Sequence, residues 1–94
     1  MTRARFIVRG QVQGVNFRAA AVREAVAHEL TGCVWNREDD AVELIAEGDP
    51  SALAALESWL AHGPRMARVE RVERSDLGGQ PRYQDFSIAY AAPE

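Results

Sequence analysis

From Gly10 to Arg18 the chain reads Gly10-Gln11-Val12-Gln13-Gly14-Val15-Asn16-Phe17-Arg18, a loop with two glycines that ends on a cation. Set between a strand and a helix, such a segment can hold an anion. Backbone N–H groups at a helix start have no intrahelical acceptor and sit at the positive end of the helix dipole. Gly14 lets that backbone come close to a ligand. Arg18 falls in the first helical turn, where a cation is disfavoured by about 0.3–1 kcal/mol. A phosphoryl group would remove that conflict and accept a bidentate contact from the guanidinium. The same residues also suit an ordinary strand-to-helix turn with a solvated arginine, since glycine-rich loops of this kind are common. Phosphate cradles that end in arginine often carry a nucleophilic cysteine six residues earlier, but here that position is Val12, and Gln11 and Gln13 beside it cannot attack. A phosphoryl group held here would have to be attacked by water.

Other reactive side chains carry less chemistry. Asn36, read alone, is a polar residue that closes a strand before a turn. His28 and His62 fall in the last turns of two helices, where they complement the dipole. Glu38, Asp39, Asp40, Glu43, Glu47 and Asp49 match no calcium-loop spacing and read as solvated charge. Cys33 is the only cysteine, so no intrachain disulfide can form and a cysteine-based metal site would be incomplete. It reads as a small buried hydrophobe, and Trp35 and Trp59 as packing residues rather than a base-stacking platform. All eleven basic residues are arginine, which excludes a Schiff-base lysine or a P-loop lysine. No metal and no cofactor is expected.

These residues need a scaffold to position them. The 94 residues fit one domain spanning residues 1–94, because a chain this short cannot divide its core. A net charge of −3 gives no bulk attraction to nucleic acid or anionic membrane. Arginines interrupt the N-terminal apolar run too early for a signal peptide, and no stretch approaches the roughly 18 apolar residues of a membrane span. A cytoplasmic location follows as the expectation. Phe6, Val8 and Gly10 alternate with Arg5, Ile7 and Arg9 as a strand with one buried face. The spacing of Ala19, Val22, Val26 and Leu30 predicts an amphipathic helix over 17–30. Residues 31–36 and 41–47 read as a hairpin around a polar turn. Asp49 and Pro50 open a second helix with a core stripe of Leu53, Leu56 and Leu60, and Gly63-Pro64 ends it. A charged strand over 67–74 and a final one carrying Phe86, Ile88 and Tyr90 complete a βαββαβ order with one extra strand. That order gives an α+β fold, the ferredoxin-like sandwich, with a four- or five-stranded, mostly antiparallel sheet and two helices on one face.

Over its whole length the run Val8-x-Gly10-x-Val12-Gln13-Gly14-Val15-x-Phe17-Arg18 resembles the phosphate-loop signature of the acylphosphatase family. Gly32-Cys33-Val34-Trp35-Asn36, followed by Val42 and Gly48, resembles the family's second motif, and the likeness runs from about Arg5 to Tyr90. Three positions depart from the pattern: Cys33 stands where an aromatic is usual, Trp35 where a basic or small residue is usual, and Asp40 where the turn has glycine. Asp40 tolerates a left-handed turn, and side chains 33 and 35 should project away from Asn36, so these changes should affect packing rather than chemistry. Asn16 occupies a permissive position and is expected to cap the first helix.

The resemblance implies hydrolysis of acyl phosphates to carboxylate and inorganic phosphate. It implies that Arg18 binds the phosphoryl oxygens together with backbone N–H groups of Gln13, Gly14, Val15, Asn16, Phe17 and Arg18, and that Asn36 holds the attacking water. The implied partners are a small acyl phosphate, with inorganic phosphate as product and inhibitor, for a monomer that binds neither nucleic acid nor membrane. The competing reading is a non-enzymatic module for phosphate, carbamoyl phosphate or RNA, because this fold also serves in binding domains. RNA readers of this shape stack bases on an open sheet face; here that face is expected to carry Arg5, Ile7 and Arg9 near Glu43 and Glu47.

Overall fold

The computed structural model describes residues 1–94. Strand β1 (Thr2–Gln11) leads into helix α1 (Phe17–Ala27), then β2 (Thr31–Asn36), β3 (Val42–Gly48), helix α2 (Pro50–Leu60), β4 (Arg68–Leu77) and the short β5 (Phe86–Ile88). The strands lie in the order β4-β1-β3-β2-β5. All neighbours are antiparallel except β2 and β5, which run parallel. This is the expected ferredoxin-like arrangement, with the fifth strand added at the β2 edge.

The period-two pattern sorts the side chains into two layers. Ala4, Phe6, Val8, Val34, Val42, Leu44, Ala46 and Phe86 join the buried residues of both helices in one core. Both helices therefore cover the same sheet face, and the ring of Phe17 on α1 lies 5.7 Å from that of Trp59 on α2. Leu53, Leu56 and Leu60 form the α2 stripe as expected, each fully buried and each contributing about 1.5–3 kcal/mol of transfer free energy.

The expected face of α1 is rotated. Phe17, Ala20, Ala21 and Ala25 point inward, whereas Val26 is 57% exposed, and the helix ends at Ala27 rather than Leu30. Alanine permits close approach to the sheet, so the small residues take the closest contact, with Val22 packed partly buried beside them and Leu30, beyond the helix end, still in the core. His28 lies at the C-cap and His62 two residues beyond α2, both outside the helices proper.

The second correction concerns charge. Glu43 and Glu47 are buried rather than solvated, because residues after β4 fold back over the outer sheet face. Glu47 accepts from Arg3 Nε at 2.7 Å and from the backbone N–H groups of Arg82 and Tyr83. Glu43 pairs with Arg5 and with Arg37. Farther along, the Glu94 carboxylate takes hydrogen bonds from Arg3 and the Tyr83 hydroxyl. Beneath this layer Cys33, Trp35 and Ile45 make a second, smaller core with Leu77, Tyr83 and Ala89. The final strand stops at Ile88, which leaves Tyr90 outside it and exposed.

Candidate active site

The loop between β1 and α1 begins where β1 leaves its regular register. A bulge falls between Arg9 and Gly10 opposite β4. Gly10 has φ 133°, and a Cβ there would meet the Arg68 carbonyl oxygen at 2.1 Å, so only glycine fits. Val12 is buried and pins the loop to the core. Beyond it, Gly14 (φ 74°) and Asn16 (φ 63°) are left-handed, and Val15 between them is not. Alternating handedness turns successive N–H groups toward one side, the geometry of an anion-binding nest. None of the N–H groups from Gln13 to Ala19 donates to a protein acceptor, and the first capping bond runs from Ala20 N to Asn16 O at 3.1 Å.

Asn16 occupies the N-cap position, but its side chain caps nothing. A capping side chain needs an extended backbone to reach the N2 or N3 amide; the left-handed conformation at Asn16 aims it elsewhere and leaves those donors free.

Arg18 follows in the first turn of α1. Seven of the eleven arginines form ion pairs with carboxylates. Of the other four, Arg23, Arg65 and Arg68 are exposed, and Arg18 is half-buried. Its only close partner is the ring of Tyr90, 5.5 Å from the guanidinium carbon to the centroid.

Asn36 ends β2 on the helix-facing side, as the expected alternation requires. Its Oδ1 is buried with no hydrogen-bond partner, an arrangement that is costly unless a ligand or water uses it. The hairpin that carries it is tightly tied. Arg37 N donates to Ala41 O at 2.9 Å, and Asp40 takes the left-handed position at φ 70°, as expected for the residue replacing the turn glycine. Asp39 accepts from both Arg37 and Arg9; these two guanidinium groups, Arg37 first, hold its carboxyl well below the usual range.

Arg18 and Asn36 line one cavity of about 190 Å³ together with Val12, Gly14, Asn16, Phe17, Ala19 and Ile88. Gln13 and Val15 lie on the other side of the loop and do not line it. Ala19 and Ile88 were not legible as site residues, because both carry the ordinary pattern of core positions. A larger hollow of about 470 Å³ lies at the far end of β1 beside Met1, His28 and Asp49, but contains no arginine. Convergence of free donors, rather than size, distinguishes the smaller cavity.

Cys33 projects to the outer face, where burial pushes its thiol pKa up. It supplies no thiolate to the cavity. No three His, Cys, Asp or Glu side chains converge as a metal site would require.

Free loop N–H groups, an unpaired arginine and an unsatisfied amide, gathered at one end of a ferredoxin-like sandwich, define a phosphoryl-binding α+β protein. Comparison with known proteins agrees. A family model described as Acylphosphatase matches residues 4–88. An acylphosphatase of Xanthomonas oryzae pv. oryzae is 46% identical over 86 residues, covering 92% of this chain and 97% of its own length. One from Mannheimia succiniciproducens is 40% identical over 90 residues, covering 96% and 100%. The crystal structure of acylphosphatase from Bacillus subtilis superposes with a TM-score of 0.92 at 36% identity, covering 96% of this chain and all of that one. The chain belongs to the acylphosphatase family and has acylphosphatase function.

Proposed function

We propose that the reaction proceeds by direct attack of water on phosphorus, with Arg18 and the N–H groups of Gly14, Asn16, Phe17 and Arg18 holding the phosphoryl oxygens and Asn36 orienting the water. The observation that carries this reading is the unpartnered Asn36 Oδ1 on the same cavity as the unpaired Arg18. Water oxygen forms the new bond to phosphorus while the bond to the acyl oxygen breaks, and the electron pair leaves with the carboxylate. Its conjugate acid has a pKa near 4, about that of a side-chain carboxyl, so the leaving group needs no proton from the enzyme. An amide orients water but is a poor base; the proton passes to a phosphate oxygen. Catalysis is then positioning and charge stabilisation, with the transferring oxygens held in line. In-line attack from the Asn36 side directs the acyl group away from Asn36.

The substrate on this reading is a small acyl phosphate whose phosphoryl group supplies most of the binding. The protein acts as a single-domain cytoplasmic monomer without metal, cofactor, nucleic acid or membrane. The outer sheet face, filled with ion pairs, offers no stacking platform to RNA. Benzoyl phosphate hydrolysis in EDTA and ¹⁸O-labelled water tests the reading. Label should enter phosphate and not benzoate, and inorganic phosphate should inhibit competitively. Label in benzoate, or activity that EDTA abolishes and a divalent metal restores, would overturn it.

A further inference from the structure

The Gln13 side chain is not free to bind substrate. Its Nε2 donates to Arg37 O at 2.9 Å and to Ala41 O at 3.0 Å. Both acceptors are carbonyls, so the amide must present its NH₂ to them, and both of its protons are used. These two carbonyls flank the β2–β3 turn directly after Asn36. The Asn36 side chain makes no hydrogen bond to the protein, so its place is set by its backbone and the packing around it. The Gln13 bonds are the only side-chain hydrogen bonds that join the loop over 12–18 to that hairpin.

We infer that Gln13 is a positioning residue that fixes the distance between the phosphate cradle and Asn36. The inference rests on the reading of Asn36 as the group that orients water. Bonds from the loop to the hairpin hold the two halves of the site in one geometry, so that a phosphoryl group bound by the loop meets water at the right separation. When Gln13 is replaced, the cradle keeps its own N–H groups and Arg18 and the hairpin stays paired with β1, but the loop loses its side-chain tie to the hairpin. Phosphate binding should survive while turnover falls.

The test measures kcat and KM for benzoyl phosphate and the inhibition constant of inorganic phosphate in Gln13→Met, Asn36→Ala and the double variant. Gln13→Met should lower kcat by about tenfold or more, within the roughly hundredfold that a misplacement of about 1 Å can cost. Its phosphate inhibition constant should stay near the wild-type value. The double variant should be no slower than Asn36→Ala alone, because Gln13 acts through Asn36. Gln13→Glu adds a pH signature. Its carboxylate offers no donor to the two carbonyls at neutral pH, but once protonated it regains one, so its activity relative to wild type should recover as pH falls through the glutamate range.

A parallel rise in the phosphate inhibition constant would make Gln13 a phosphate ligand and overturn the inference. Multiplying losses in the double variant would show that Gln13 acts independently of Asn36, and would leave the water-orienting reading intact. Near-normal turnover of Asn36→Ala would instead remove that reading, and the inference with it. Phosphate titration of the unaltered protein by NMR needs no variant to fold. The amide resonances of Gly14 to Arg18 should shift while the Gln13 side-chain NH₂ stays put; an equal shift of that NH₂ would refute the positioning role.

Discussion

Arg18→Gln should separate catalysis from folding. The guanidinium has no carboxylate partner, so its removal breaks no ion pair; folding loses only the contact with the exposed Tyr90 ring. That contact is worth about 0.5–1 kcal/mol at an exposed site. Taking a cation out of the first turn of α1 returns about 0.3–1 kcal/mol. The two terms nearly cancel, and at about 4–8 °C per kcal/mol for a domain of this size the melting temperature should move by no more than about 5 °C. Turnover should respond very differently. Losing one charged donor to the transition state costs about 10²–10³ in kcat, or about 2.7–4 kcal/mol. Because Arg18 also grips ground-state phosphate, the phosphate inhibition constant should rise as well. Asn36→Ala should slow turnover comparably and weaken phosphate inhibition much less. Initial rates with benzoyl phosphate, phosphate inhibition and circular-dichroism melts on both variants provide the comparison. A folded Arg18→Gln protein that keeps turnover within about tenfold of wild type would refute the electrostatic role given to this arginine.

Cys33→Ser should keep most of the turnover while lowering the melting temperature, because it puts a hydroxyl in the second core, on the strand face opposite Asn36. Loss of turnover in the folded variant, or a phosphocysteine found by mass spectrometry, would show covalent attack. Acid stability follows from Glu47. Burial pushes its carboxyl up, but Arg3 and the N–H groups of Arg82 and Tyr83 outweigh burial and hold it below its ordinary value. A depressed folded pKa makes this contribution complete above the unfolded glutamate value of about 4.3, and it is lost as pH falls through the lower folded value. Urea midpoints should therefore fall below about pH 4.3, and Glu47→Gln should flatten that fall; an unchanged acid profile in the variant would assign it to other carboxylates.

The elements were legible because local rules fix them, whereas the pairing of Arg18 with Asn36 came from the family resemblance and not from either residue's local pattern. The alternation in β1, the Leu53, Leu56 and Leu60 stripe and the glycine-rich entry to α1 each carry their own signal. What was not legible depends on residues distant in sequence. Val26 has the spacing of a core residue, but the close fit of Ala21 and Ala25 against the sheet rotates α1 away from it. Glu43 and Glu47 look like strand charges facing water, and nothing near them in sequence announces that Arg82, Tyr83 and Glu94 will fold over them. Asn16 illustrates a conflict within local rules: it is a favoured capping residue and also one that tolerates left-handed backbone. The nest needs the second property and so excludes the first.

Composition alone could not have singled out the functional arginine among eleven. The structure separates them by what each one meets. Arg3, Arg5, Arg9 and Arg37 are committed to carboxylates across the outer face and the hairpin. Such a commitment fixes a guanidinium and spends its donors, which makes it useful for holding β1 against the β2–β3 turn and unsuited to gripping a substrate. Arg18 sits on the other side of the sheet, where the alternation of β1, β2 and β3 sends no acidic residue. Its guanidinium forms no ion pair with any carboxylate of the protein, which leaves its donors for an anion from solution. The same alternation explains why Cys33 and Trp35 can depart from the family pattern beside Asn36: a strand places neighbours on opposite faces, so the second core can vary while the cavity keeps its amide.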